Sequence, residues 1–220
     1  MKFYDIHTHC SLYESINCSR SRIFSISPFE FENAQKTIQQ GRFSCGVHPW
    51  DCEDIDTQLI HLTEIASDSR IIAIGETGLD KLKGAAFDVQ IPLFKQHIEL
   101  SEKFNKPLII HCVKAWNELI YIRRETNPTQ PWIIHGFRGN PELTKQLVKE
   151  GFQFSMGAII NADSIPIIPI HSLFCETDES EKSICDVYRQ VADVMCVDIE
   201  MLVADVAKNV GRVFPELVVE

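Results

Sequence analysis

Short apolar runs alternate along the chain with longer segments in which apolar residues recur at helical spacing. The runs are rich in β-branched and aromatic residues, as is typical of buried strands. Strand and helix patterns that alternate in this way indicate βαβ units and a parallel sheet. The candidate strands number eight and lie at residues 3–9, 22–27, 43–48, 70–76, 107–111, 132–136, 152–157 and 172–177.

Several of the intervening helices carry start and stop signals. Ser27 and Glu30 form a capping box around a proline at the first helical position. An Asn-Pro pair and a later glycine bound a second helix within residues 140–151. Segment 87–104 places its apolar residues on one broad stripe, and residues 180–214 contain two helical patterns.

Eight parallel strands are the number found in a TIM-like (β/α) barrel. A chain of 220 residues is long enough to bury one sizeable core, so we predict an α/β fold with a single barrel domain spanning residues 1–220. Residues 10–21 and 158–171 are short and irregular. We therefore expect a distorted barrel that lacks crossover helices after strands 1 and 7, with a seven-stranded barrel as the alternative.

Metal-ligand residue types occur at the carboxyl ends of these predicted strands. In an extended strand, residues two apart point to the same face, so the His-x-His pair near the start aims two imidazoles at one place. All carboxyl ends of a parallel barrel open onto one face. Each residue alone is more often a hydrogen-bonded core histidine or a helix cap, but together they predict a metal centre. The set is His7, His9, His48, Glu76, His111, His135 and Asp178.

Composition narrows the class of protein further. The chain is 45% hydrophobic and 24% charged, its apolar runs are too short to span a bilayer, and it shows no signal-peptide pattern. The eight cysteines form no C-x-x-C pair, so we expect reduced thiols and a cytoplasmic location. A net charge of −10 argues against general adhesion to nucleic acid, although a local basic patch is compatible with it.

Ordered motifs run through nearly the whole chain: DIHTHC, CGVHPWD, IGETGLDK, QIPLFKQHIELSEKFNKPLIIHC, IIHGFRGNPELTKQLVKEGFQFSMG, LFCETD and KNVGRVF. With these motifs the chain resembles the TatD-like metal-dependent hydrolases, the TatD DNase family of amidohydrolase-type metal barrels. The resemblance implies two divalent ions per chain, and the mixed nitrogen and carboxylate ligands suit zinc, manganese or magnesium. It assigns His7, His9 and Asp178 to one ion, His111 and His135 to the other, and Glu76 to a bridging position.

The resemblance also implies a hydrolase, and we expect a deoxyribonuclease that cleaves phosphodiester bonds with a two-metal-activated hydroxide. Glu76 and Asp178 are the predicted catalytic carboxylates, with Asp178 as ligand and general base. His48 either contacts a substrate oxygen or is a structural histidine. The expected partner is nucleic acid, either single strands or ends of DNA, with no membrane and no obligate protein partner.

Residues in the loops after the strands suggest substrate contacts. Lys81, Lys114 and Arg138 could meet phosphates, and Trp50 could stack a base, although the cations could equally be solvated surface. The sequence departs from the family pattern at three places. They are the region between the first motif and CGVHPWD, which is short, the segment HCVKAW, and the Glu-Ser pair that begins at Glu179. Two alternatives therefore stay open: hydrolysis of a small ester, amide or phosphoester, and a non-catalytic metal-binding protein.

Overall fold

The structure is a computed structural model that describes residues 1–9 and 21–218. One sheet of eight strands follows the order of the chain, and each strand pairs in parallel with the next. This confirms the eight-stranded prediction over the seven-stranded alternative. The strands are β1 Asp5–Thr8, β2 Arg22–Ile26, β3 Arg42–Cys45, β4 Ile71–Asp80, β5 Leu108–Val113, β6 Trp132–Ile134, β7 Gln153–Met156 and β8 Leu173–Cys175.

Helices connect and cover most of these strands. Phe94 of the third helix packs edge-on against Trp132 of β6, with ring centroids 5.4 Å apart and both residues fully buried. Such contacts bury the apolar stripe of a helix against the outer face of the sheet. The helices are α1 Phe31–Thr37, α2 Ile55–Ile65, α3 Phe87–Phe104, α4 Trp116–Thr126, α5 Pro141–Lys149, α6 Ile184–Met195, α7 Ile199–Val213 and α8 Pro215–Val218.

Local signals set several of these boundaries. The side chain of Asn140 accepts a hydrogen bond from the Leu143 N–H at 2.9 Å, so α5 begins where the Asn-Pro pair predicts. The Ser27 N–H donates to Glu30 Oε2 at 2.7 Å, which forms one half of the predicted capping box. That box opens a 3-10 turn that leads into α1.

The barrel closes where β1 meets the segment after β8. Thr8 and Asp178 form an isolated parallel bridge. The Asp178 N–H donates to the carbonyl oxygen of His7 at 3.0 Å, and the His9 N–H donates to the carbonyl oxygen of Asp178 at 3.2 Å. Closure therefore brings three predicted site residues together by backbone pairing.

The predicted irregular connection after strand 7 is confirmed. Between β7 and β8 the described chain contains two 3-10 turns, Ile165–Ile167 and Ile170–Ser172, and no α-helix. The corresponding prediction after strand 1 falls on residues 10–20, which lie outside the described residues.

Strands β4 and β5 run further than the sequence pattern predicts, to Asp80 and Val113. Gly78, paired with His111, makes this possible with its φ of +148°. A Cβ atom at this position would collide with the carbonyl oxygen of His111, so only glycine allows the two backbones to approach so closely. Glu76 consequently lies inside β4 and not at its end.

No helix among the described residues is both long enough and apolar enough to cross a membrane. Six of the eight cysteines lie in the described part of the chain, and all six are free thiols, as expected. Cys10 and Cys18 are outside it.

Candidate metal centre

Glu76 lies at the centre of the predicted site, 6% exposed, on β4. Five imidazole nitrogens surround its carboxylate at 3.3 Å or less. They belong to His7 (3.2 Å), His9 (3.3 Å), His48 (3.0 Å), His111 (3.0 Å) and His135 (2.8 Å). The structure therefore brings all the sequence-predicted ligands to one place.

The two carboxylate oxygens of Glu76 face different histidines. Nε2 of His7 and Nε2 of His9 approach Oε2, and both nitrogens lie 3.7 Å from Oδ1 of Asp178. His7 is fully buried, while the side chains of His9 and Asp178 are 35% and 39% exposed. The side of the site at Oε2 of Glu76 is therefore partly exposed, at His9 and Asp178.

Oε1 of Glu76 faces the other side. Nδ1 of His111 and Nε2 of His135 lie 3.4 Å apart and both approach Oε1, as does Nε2 of His48. Among the described residues, three sets each offer possible ligand atoms that all lie within 4.8 Å of one another. They are His7 with His9 and Glu76, His7 with His135 and Asp178, and His48 with Glu76 and His111.

Glycines allow the strands to converge around Glu76. A Cβ atom on Gly46 would lie 2.8 Å from the Glu76 carbonyl oxygen. Gly75 has a φ of +137°, and a Cβ there would collide with the carbonyl oxygen of Ile109 on β5. The spacing of the GETG motif is therefore a packing requirement of this part of the barrel.

His97 holds the loop that carries His48. The Val47 N–H donates to Nε2 of His97 at 2.9 Å, so the ring proton is on Nδ1, which lies 2.8 Å from the Leu93 carbonyl oxygen. Burial lowers the pKa of His97 to about 4, although the hydrogen bond to Leu93 raises it in part. His97 is not among the site residues predicted from the sequence, and the structure gives it this specific contact.

Two buried carboxylates that the sequence prediction missed contact the predicted ligands. Asp80 Oδ2 lies 3.1 Å from Nε2 of His111, and Glu176 Oε1 lies 3.3 Å from Nδ1 of His135. Carboxylates that accept from the outer nitrogen of a ligating histidine fix its ring and its proton. Glu176 precedes Asp178 by two residues, which is the one sequence signal for it, whereas its contact with His135 is visible only in the structure.

The electrostatics of the cluster are strongly coupled. Burial alone would raise the pKa of Glu76, but His135, His111 and His48 hold it well below its ordinary value. Burial would lower the pKa of His135, yet the carboxylates of Glu76 and Glu176 raise it well above its ordinary value. A carboxylate kept charged among imidazoles is an arrangement suited to divalent ions.

The residues fit a metal ion on a second ground. His7 is fully buried, and neither of its ring nitrogens makes a hydrogen bond with a residue that the structure describes, although Nε2 lies 3.2 Å from Glu76. A buried polar atom without a partner is costly, and a coordinated cation would satisfy it. His7, with its neighbours His9 and Asp178, would hold such an ion.

A cavity of about 330 Å³ opens above these side chains. Trp50 is 42% exposed and lines it, together with Glu30, Asp51 and Glu179. Among the described residues that line the cavity, none is a lysine or an arginine.

The predicted cations lie outside this lining. Lys81 Nζ is paired with Glu118 of α4 at 2.6 Å, while Lys114 and Arg138 are exposed. Lys83 Nζ instead lies 3.4 Å from the centroid of a ring of Trp50, so it is the cation that contacts a lining residue. Roles for Lys81, Lys114 and Arg138 in substrate binding stay predictions.

Parallel β/α barrels with histidine and carboxylate clusters at the carboxyl ends of their strands form the class of barrel metalloenzymes, and this chain has that architecture. A family model described as TatD related DNase matches residues 5–215. The chain therefore belongs to the TatD related DNase family, as the sequence motifs predict.

Curated relatives carry names consistent with this family. An uncharacterized metal-dependent hydrolase, YcfH, from Escherichia coli K12 is 33% identical over 145 residues, which cover 62% of this chain and 54% of that protein. An uncharacterized metal-dependent hydrolase from Buchnera aphidicola is 31% identical over 144 residues, covering 61% and 54%. The chain spans about half the length of the curated relatives it matches.

Solved structures share the fold over almost the full chain. YJJV, a TatD homolog from Escherichia coli K12, has a TM-score of 0.85 at 20% identity and covers 97% of this chain and 98% of its own. A hydrolase TatD family protein from Entamoeba histolytica has a TM-score of 0.77 at 18% identity, with coverage of 98% and 99%. These likenesses confirm the barrel fold.

Proposed function

We propose that this chain, as a single barrel domain, is a divalent-metal-dependent hydrolase that cleaves phosphodiester bonds in DNA. The carrying observation is the convergence of five histidine nitrogens on the two oxygens of the buried Glu76 carboxylate. The family description and the names of the curated relatives support the hydrolase class. A cytoplasmic location stays a prediction from the sequence.

The division of histidines between the oxygens of Glu76 supports a two-ion arrangement. His7, His9 and Asp178 gather at Oε2, and His111 and His135 gather at Oε1. Glu76 would then bridge two ions, as the sequence motifs imply. Imidazole and carboxylate ligands together suit zinc or manganese, and magnesium would rely more on the carboxylates.

Bound divalent ions would acidify a water molecule and offset the charge of a phosphodiester. The chain's own residues would orient that water and accept its proton. Asp178 is the candidate general base because its carboxylate is half-exposed to the cavity and lies 3.7 Å from two ligand nitrogens. Its buried neighbour Glu76 is enclosed by histidines and is better placed to hold ions than to move protons.

Asp178→Asn tests the general-base role. We expect kcat to fall by about a hundredfold or more, the range for a positioned general base, with zinc still bound. Zinc content is measured by elemental analysis beside turnover. Full turnover with bound zinc would show that Asp178 is not the base.

His48 is a candidate contact for a substrate oxygen. Its Nδ1 accepts from the Trp50 N–H at 3.2 Å, so a neutral ring carries its proton on Nε2, 3.0 Å from Glu76 Oε1. That Nε2–H could turn from Glu76 to a substrate oxygen. In His48→Ala we expect a lower rate at unchanged metal content; an unchanged rate would leave His48 a structural residue.

Trp50 and Lys83 support a nucleic-acid substrate. The exposed Trp50 indole, here called the stacking platform, borders the cavity, and its ring centroid lies 4.7 Å from that of His48. Bases stack on such aromatic surfaces, and a lysine beside them can meet a phosphate. The Lys83 ammonium lies over the platform.

The cavity also favours a second candidate, hydrolysis of a small ester, amide or phosphoester. Its volume of about 330 Å³ is that of a small-molecule site, and its described lining contains Glu30, Asp51 and Glu179 but no cation. An end-labelled oligonucleotide incubated with the zinc- or manganese-loaded protein separates the candidates. Metal-dependent release of mononucleotides supports the nuclease, whereas an intact oligonucleotide with turnover of small esters supports the second.

A further inference from the structure

Asp80, the last residue of β4, joins two parts of the site. Its side chain is 2% exposed, and Oδ2 lies 3.1 Å from Nε2 of His111 and accepts from Nε1–H of Trp50 at 2.8 Å. Oδ1 accepts from the backbone N–H groups of Leu82 and Lys83, at 2.7 and 3.1 Å. One buried carboxylate thus contacts a predicted metal ligand, the stacking platform and the loop that carries the lysine.

Gln90 of α3 fixes Asp80 in place. Its Oε1 accepts from the Asp80 N–H at 2.7 Å, and its Nε2 donates to the carbonyl oxygens of Asp80 and Ala85, at 2.9 and 2.7 Å. Gln90 is 1% exposed, so these bonds form in a region that water does not reach. The backbone of Asp80, which carries the carboxylate, is therefore held in place by a helix.

The contact with Asp80 determines which ring nitrogen of His111 faces the metal centre. A charged carboxylate can only accept, so Nε2 of His111 carries a proton towards Asp80, and Nδ1 is the ring nitrogen that faces the metal side of the site. That Nδ1 faces Oε1 of Glu76 at 3.0 Å. A cation held by Nδ1 of His111 and by Glu76 would take the place of a proton on that nitrogen.

We propose that Asp80 is a positioning residue that fixes both the proton position of His111 and the orientation of the Trp50 indole, and so couples the metal centre to the stacking platform. The coupling to substrate rests on the proposed function, whereas the effect on His111 does not. Asp80 acts through these two residues and does not itself touch substrate.

Glu176 provides an internal comparison. Its Oε1 lies 3.3 Å from Nδ1 of His135 and accepts from the Gly136 N–H at 2.6 Å, so it orients a predicted ligand as Asp80 does. Glu176 is fully buried and is absent from the described lining of the cavity. Glu176→Gln should therefore change the metal centre and leave the platform unaffected.

Zinc affinity, measured with a competing chelator, tests the first half of the proposal. We expect Asp80→Asn and Glu176→Gln each to weaken zinc binding about 10- to 100-fold, as for other orienting partners of metal ligands. Trp50→Phe keeps a six-membered aromatic ring but removes the pyrrole ring with its N–H donor. Because Trp50 is not a predicted metal ligand, zinc affinity should stay within about twofold of wild type. Wild-type zinc affinity in Asp80→Asn would overturn the proposal.

Acrylamide quenching of tryptophan fluorescence without metal tests the second half. Asp80→Asn should leave the indole less restrained and more quenched than in wild type, whereas Glu176→Gln should match wild type. With a single-stranded oligothymidylate, Trp50→Phe should raise KM, Glu176→Gln should lower kcat, and Asp80→Asn should do both. If Asp80→Asn behaves like Glu176→Gln in quenching and in KM, the coupling is refuted.

A measurement on the unaltered protein covers the case in which Asp80→Asn does not fold. Nitrogen NMR of the metal-free imidazoles should show a proton on Nε2 of His111, and an Nε2 that carries no proton would overturn the proposal. If the wild-type protein cleaves no oligonucleotide, the nuclease proposal fails, while zinc affinity, quenching and the NMR result still decide the role of Asp80.

Discussion

The floor of the site and its rim differ in how their side chains are held. On the floor, Glu76, His7 and His111 are each at most 8% exposed, and both histidines contact Glu76 directly. On the rim, Trp50 is 42% exposed and the side chain of Asp178 is 39% exposed. The floor is built from strands that the barrel fixes, whereas the rim depends on which loop residues find partners.

Removing the charge of Glu76 should have the largest effect on metal binding, because five histidine nitrogens approach its carboxylate. We expect Glu76→Gln to weaken zinc binding by more than about a hundredfold, beyond the range for an orienting partner. Competition with a chelator measures this. Glu118→Gln, an exchange of the glutamate that pairs with Lys81, is the matched control and should bind zinc as wild type does. Equal affinities in the two variants would mean that the floor does not hold the ion.

Zinc should stabilise the wild-type protein, since the ion binds the closed barrel and not the unfolded chain. At about a hundred times its Kd, zinc is expected to add about 2.7 kcal/mol to the free energy of unfolding. Urea titrations with zinc and with a chelator measure the difference. The gain should be absent in Glu76→Gln; a gain there of the same size would place zinc elsewhere.

His97, a fully buried residue of α3, should make the free energy of unfolding depend on pH. Its folded pKa of about 4 lies below the usual 6.5, so the unfolded chain binds the proton more readily. This stabilising contribution is complete above pH 6.5 and is lost as the pH falls towards 4. The wild-type advantage over His97→Gln should shrink by about 2 kcal/mol between about pH 7.5 and about pH 5.

Urea titrations at the two pH values measure that advantage. The exposed His171→Gln controls for loss of a histidine at the surface. A constant difference between wild type and His97→Gln across this range would contradict the assignment.

Replacing a single lysine near the rim should have the smallest effect on substrate binding. Lys83→Met removes the ammonium over Trp50 that would meet a phosphate, and it is expected to raise KM for an oligothymidylate about threefold, the worth of one exposed charge pair. Lys81→Met should change KM by less than about twofold, because Lys81 is engaged with Glu118 in an exposed pair. Steady-state kinetics at fixed salt measure both, and a larger effect for Lys81 would reverse this ranking of the two lysines.

The difference between the floor and the rim also explains which site residues could be predicted from the sequence. His7 and His9 follow from strand alternation, and their meeting with His111 and Asp178 follows from the shared face of a parallel barrel. The pairing of Lys81 with a glutamate 37 residues later depends on how α4 packs, which no local pattern records.

Asp80 and Glu176 escaped prediction for a related reason. The sequence pattern ended β4 at residue 76, so Asp80 fell in a presumed loop, and only the glycine-dependent extension of the strand brings it beside His111. Glu176 belongs to the same short motif as Asp178, but its task is to hold His135 and not to face the cavity. Orienting carboxylates of this kind are recognised by their partners in space.

The bridge between Thr8 and Asp178 joins segments 170 residues apart in sequence. An ion shared by His7 and Asp178 would therefore link β1 to the segment after β8 and hold the barrel closed at this point. Amide hydrogens along β1 and β8 should then exchange more slowly once zinc is added, because local opening between these strands would require the ion to leave.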